Sequence, residues 1–142
     1  MKRVFRTRYF SRWMRKTELT DMSLCKAVSE MEQGLIDADL GSGIVKKRVA
    51  LPGRGKSGST RTLVATNKSN RWFFVFRFEK NERDNISDKE LEALKDIATD
   101  LLKLTSNELD VHIESRAINE ITYDYQEKSN KPDLGRGSRN RT

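Results

Sequence analysis

The chain has 142 residues, enough for one ordinary domain, and 28 Lys and Arg against 21 Asp and Glu give it a formal charge of +7. Its longest uncharged apolar run, Trp72–Phe76, falls far short of the roughly 20 residues that span a bilayer. No apolar block with a small-residue cleavage site follows the basic N-terminus, so a cytoplasmic location is expected and a secretory leader is not. A single cysteine, Cys25, and a single histidine, His112, exclude a disulfide framework and the usual Cys/His zinc clusters.

Val4–Phe5 begins a short first strand. From Tyr9 onward Tyr9, Phe10, Trp13 and Met14 recur at helical spacing. Thr20 or Asp21 caps a second helix with Leu24, Cys25, Val28 and Met31 on its buried side, and Gly34 stops it. The two helices suggest a hairpin. Cys25 lies on the apolar stripe and reads as a small buried hydrophobe, not a catalytic thiol.

A loop, 37–43, leads to a strand carrying Ile44, Val45 and Val49 with basic residues between them. Pro52–Gly58 is a basic, glycine-rich loop. Thr60–Thr66 and Arg71–Glu79 are two further strands, separated by the turn Asn67–Asn70. Strict alternation groups Phe74, Phe76 and Phe78 on one face and Phe73, Val75 and Arg77 on the other. Short connections imply an antiparallel meander.

Ser87 with Glu90 forms a capping box for a helix to about residue 104, buried along Leu91, Leu94, Ala98 and Leu101. A further helix is predicted over 106–121, with Leu109, Ile113, Ala117 and Ile118 on one face. His112 lies beside that face in an acidic segment, which favours a surface or partner role over acid–base chemistry. From residue 122 the composition turns polar, and 122–142 reads as a disordered tail. The fold class expected is therefore α+β: an N-terminal helical hairpin on a small antiparallel sheet, followed by C-terminal helices.

Charge is strongly segregated along this chain. Residues 1–16 hold seven basic side chains and no acid, and residues 43–62 hold six (Lys46, Lys47, Arg48, Arg54, Lys56, Arg61), again with no acid. Residues 17–42 carry six acids against Lys26 alone, and 87–121 carry nine acids against four basic residues. An uncompensated basic block on strands and an exposed loop points to a polyanion surface. Conventional catalytic sets are missing. Gly53–Gly58 lacks the first glycine and the strand-to-helix setting of a phosphate-binding loop. One histidine cannot serve a Ser-His-Asp triad, no carboxylate pair sits among the basic residues, and no cofactor is expected.

Lys and Arg alone can still cleave RNA. The ribose 2′-hydroxyl is the nucleophile, a lysine surrounded by cations can take its proton, and guanidinium groups stabilise the charge on phosphorus. In a meander the start of one strand meets the end of another, so Arg61 and Lys80 can converge on one phosphate. Arg77 closes the same strand as Lys80. The cluster can equally hold a phosphate backbone without cutting it.

The set Val45-Lys46-Lys47-Arg48-Val49-Ala50, Gly53-Arg54-Gly55-Lys56-Ser57-Gly58, Arg61-Thr62-Leu63-Val64 and Phe76-Arg77-Phe78-Glu79-Lys80-Asn81-Glu82 resembles RelE/ParE-superfamily toxins, and within them the RelE/HigB-like branch of type II toxin–antitoxin systems. The likeness spans about residues 1–104, leaving 105–121 as an additional C-terminal helix. It implies a ribosome-dependent mRNA endonuclease held inactive by a cognate antitoxin, usually of helix-turn-helix type, with operator DNA bound only through the complex. By this resemblance Arg61, Lys80 and Lys56 are the catalytic candidates, and Lys46, Lys47, Arg48, Arg54 and Arg77 grip RNA. Many members add a tyrosine near the C-terminus, in the region that corresponds here to Asn81–Ile86. Asn81–Ile86 contains none, and Tyr123 and Tyr125 lie too far along to replace it. A ParE-like gyrase poison and a non-catalytic nucleic-acid or antitoxin-binding module are the alternatives.

Overall fold

Val4 and Phe5 are both fully buried, although adjacent strand residues point to opposite faces. A strand apolar on both faces belongs inside a sheet, not at its edge. The computed structural model describes residues 2–52 and 58–122 and places β1 (Arg3–Thr7) accordingly, parallel to β5 (Arg71–Phe78) and antiparallel to β6 (Ile118–Ile121). With β2 (Ala38–Gly41), β3 (Ile44–Ala50) and β4 (Ser59–Thr66), the sheet runs β2-β3-β4-β5-β1-β6. The purely antiparallel sheet expected from the short connections is thereby corrected. The meander β2 to β5 is antiparallel, but β1 reaches β5 through a long crossover, the only kind of connection that joins parallel neighbours.

Helices cover both faces. On one, α1 (Arg8–Met14) and α2 (Asp21–Glu32) bury Phe10, Met14, Leu24, Cys25 and Val28 against Val4, Val45, Val64, Trp72 and Phe74. Thr7 and Thr20 cap the two helices, and Gly34, at φ +92°, ends α2 as expected. The expected hairpin is not the organising contact. Helix α1 leans on β1, β5 and β6 while α2 leans on β3, so each packs on its own strands. The other face is covered by α3 (Asp88–Lys103), with the predicted Ser87–Glu90 capping box, and by α4 (Ser106–Glu114). Leu94, Ala98 and Leu109 meet Phe5, Ile44, Leu63, Phe73 and Phe78 there.

Three further expectations are corrected. The loop 37–43 contains β2, whose turn into β3 uses Gly41, Ser42 and Gly43, all at positive φ. The helix predicted over 106–121 stops at Glu114. A turn at Arg116 (φ +66°) follows, and β6 places Ile118 in one core and Ile121 in the other. The alternation in β5 is broken as well: Leu63 lies opposite Phe76 but Val64 lies opposite Phe74, so Val75 is an extra residue. Past this bulge the faces exchange. Phe76 and Phe78 join the α3 side with Phe73 and Val75, while Arg77 joins the α1 side with Phe74. The basic loop, with Arg54 and Lys56, and the tail with Tyr123 and Tyr125 lie outside the described residues. No helix among the described residues is long and apolar enough to cross a membrane.

Candidate functional site

Strand register sorts the basic residues into two rows. Lys47, Thr62 and Arg77 lie side by side across β3, β4 and β5 on the α1/α2 face; Arg48, Arg61 and Phe78 form the next row on the opposite face. Lys46, Leu63 and Phe76 continue that second face.

The first row is occupied with internal partners. Lys47 is only 7% exposed; its Nζ donates to the Leu35 carbonyl at 2.9 Å and pairs with Glu30 at 2.9 Å. Arg77 stacks its guanidinium 4.5 Å from the Trp13 ring centroid and donates Nη1 to Glu82 at 2.9 Å. Backbone N–H of Glu79 and the Arg77 guanidinium together hold the Glu82 carboxyl below its usual pKa. Both cations thus fasten α1, α2 and the turn after β5 to the sheet.

The second row is open. Arg48 is exposed, and its backbone N–H is tied to Asp37 Oδ2 at 2.5 Å while its guanidinium makes no ion pair with a described residue. Directly opposite stands Arg61, half-buried, with a long 3.5 Å bond to Ser59 Oγ. Like charges facing each other across strands are destabilising. An anion between them turns that repulsion into attraction. The same row meets the root of the basic loop, whose ends are fixed by Leu51 N–H donating to the Gly58 carbonyl at 2.7 Å and by Ala50 pairing with Ser59. Between α2 and this end of β3 a cleft of about 660 Å³ is lined by Lys26, Glu30, Arg48, Pro52 and Ser59 among others, and Arg61 is not among its lining residues. Lys80 is exposed in the turn after β5, two residues beyond Phe78, which is paired with Arg61. Lys46 is half-buried on the Arg61 face.

Sequence reading missed an aromatic surface on this side. Tyr9, 48% exposed, stacks on Phe76 with centroids 5.5 Å apart. The Arg83 guanidinium sits 5.7 Å from the Phe76 ring and 5.9 Å from the Phe78 ring and pairs with Glu90 at 2.6 Å. The bulge hid this: with strict alternation Phe76 and Phe78 belong to the other face. His112 lies in the last turn of α4, an element that packs chiefly on β6. Among the described residues no group of His, Cys, Asp and Glu is placed to hold a metal ion.

What this site can do follows from its donors. Two arginines at paired positions on one face, with Lys46 on that same face, offer forked donors that suit a phosphodiester and charge that grows during attack at phosphorus. Residues 2–121 match the family model described as "RelE toxin of RelE / RelB toxin-antitoxin system". A search of curated proteins finds no match.

Proposed function

Because the chain belongs to the RelE toxin family, the toxin half of a toxin–antitoxin system with a cognate antitoxin, we propose that it is a ribosome-dependent mRNA endonuclease that inhibits translation. The observation that carries this reading is the Arg48–Arg61 pair, set directly across β3 and β4 in the strand row next to Lys47 and Thr62 and without the internal ion pairs that engage Lys47 and Arg77. In the proposed reaction the 2′-oxygen attacks the adjacent phosphorus. The new O2′–P bond forms as the P–O5′ bond breaks, leaving a 2′,3′-cyclic phosphate and a 5′-hydroxyl. Arg61 stabilises the equatorial oxygens. Lys80 and Lys56 supply proton transfer and charge at the attacking and leaving oxygens. Lys46, Arg48 and Arg54 hold the backbone on either side. Lys47 and Arg77 act on RNA only through the strands they fix. The work is placed on the cytoplasmic ribosome, and the antitoxin, of helix-turn-helix type, carries the complex to operator DNA.

Induced expression should arrest growth, and mapping of mRNA 5′ ends should show in-frame cuts that vanish when ribosomes are removed. Arg61→Ala with Lys80→Ala should abolish both. Cuts that persist in this double variant would refute the site. Double-strand DNA breaks in place of mRNA cuts would assign the toxin to gyrase, and tight RNA binding without cleavage would make it a binding module.

A further inference from the structure

The acid-free N-terminal block finds a place at the opposite edge of the sheet. Arg8 and Arg12 of α1 and its C-cap Arg15 recur at i, i+4 and i+7, along one face. That face and the α4–β6 turn enclose a groove of about 430 Å³, with Arg116 as its fourth arginine and Ser11 and Asn119 among its other lining residues. No carboxylate lines it. Of the acids close to it in the chain, Asp21 bonds Arg6 and Glu120 pairs with Arg3 at 2.8 Å, while Glu114, next to Ser115, is exposed at the end of α4 and does not line the groove.

The groove is built, not frayed. Arg8 donates its backbone N–H to the Ala117 carbonyl at 3.2 Å and its Nε to the Arg116 carbonyl at 3.4 Å. Ser11, 8% exposed, donates its hydroxyl to Asn119 Oδ1 at 3.0 Å and accepts from Arg6 Nε at 3.1 Å. Arg116 holds φ +66°, a conformation that glycine or asparagine adopts at lower cost.

We propose that this groove is a second phosphodiester-binding site that holds an RNA backbone away from the cleavage site. Every lining side chain is polar. A peptide partner would need apolar anchors, which the groove lacks, whereas forked guanidinium donors match phosphate oxygens. The choice of RNA over DNA rests on the function proposed above; the choice of phosphate does not. Between β4 and β6 lie β5 and β1, so at about 4.8 Å per strand the groove is offset from Arg61 by roughly 14 Å within the sheet plane, and it lies on the other face. One structured RNA can span both.

The test measures binding of the full chain to a 16-base-pair RNA duplex by fluorescence anisotropy over a KCl series. The same-sequence DNA duplex and poly-glutamate serve as comparison probes. Arg12→Ala with Arg15→Ala should weaken RNA binding about tenfold and lower the log–log salt slope by about 2, close to one unit per phosphate contact. Lys89→Ala with Lys103→Ala on α3 removes the same charge and should change neither. Arg12→Lys with Arg15→Lys should keep most of the slope. Unchanged RNA affinity and slope in the alanine variant, or a loss confined to the DNA duplex or to poly-glutamate, would overturn the proposal. Loss of mRNA cleavage is not scored, so failure of the endonuclease reading leaves this result intact.

Discussion

Two neighbouring residues, Lys47 and Arg48, carry the same charge and opposite assignments. Alternation alone divides them, sending one ammonium under α2 and one guanidinium to the open face. Lys47→Ala should lower stability by about 1–3 kcal/mol, because it strips the Leu35 carbonyl and Glu30 of a charged donor. Arg48→Ala should leave the melting temperature within about two degrees, since surface changes of this kind cost at most about 0.5 kcal/mol, yet weaken RNA binding. Thermal melts and salt-dependent anisotropy on the pair give opposite orders, and equal melting temperatures would remove Lys47 from its structural role. Gly43 shows a different constraint. At φ +85° any added side chain is strained, and a Cβ there would lie 2.8 Å from Leu102 Cδ1, which would have to move aside. Gly43→Ala should cost about 1–3 kcal/mol, read as a fall in melting temperature.

At the level of the element, the N-terminus of α3 links stability to pH. Glu90 accepts from Arg83 and from the Ser87 backbone N–H, which hold its carboxyl down at about 2. A carboxyl whose folded pKa lies below its unfolded value stabilises the fold above the unfolded pKa. That contribution is lost as pH falls from about 4.5 toward 2. Glu82 and Asp39 are lowered as well and act in the same direction. Glu90→Gln should therefore lower the melting temperature at pH 7 and flatten its fall below pH 4.5; parallel curves for wild type and variant would contradict this. The capping box was legible because its two residues sit at fixed spacing beside a helical stripe. The bulge at Val75 was not, because an extra residue in a strand leaves no local signature in Phe73–Phe78. So the alternation that groups Phe74 with Phe76 and Phe78 fails past the bulge, and Phe76, Phe78 and Arg77 exchange faces. Four-residue strands such as β2 and β6 are too short for a period of two to show.

For the molecule as a whole, the sheet closes only when the last described strand returns to the first. Sequence resemblance ended near residue 104, which set the segment beyond it apart as an appended helix. Its pairing with β1 is long-range, and nothing between Ser106 and Ile121 announces a partner more than a hundred residues away. The buried side chains show what the return is worth. Leu109 and Ile118 complete the core under α3, and Ile121 completes the one under α1. At about 1.5–3 kcal/mol for each fully buried aliphatic side chain, the three contribute roughly 5–9 kcal/mol, comparable with the whole stability of an ordinary domain at about 5–15 kcal/mol. Without β6, β1 becomes an edge strand with Phe5 uncovered, an invitation to pair with another chain. A chain ending at Leu104 should thus lose its cooperative thermal transition or aggregate, whereas the full chain melts in one step. Ile118→Ala, which keeps the backbone pairing, should cost about 2–5 kcal/mol. Cooperative melting of the shortened chain within a few degrees of the full one would show that β6 is an addition to a domain complete without it.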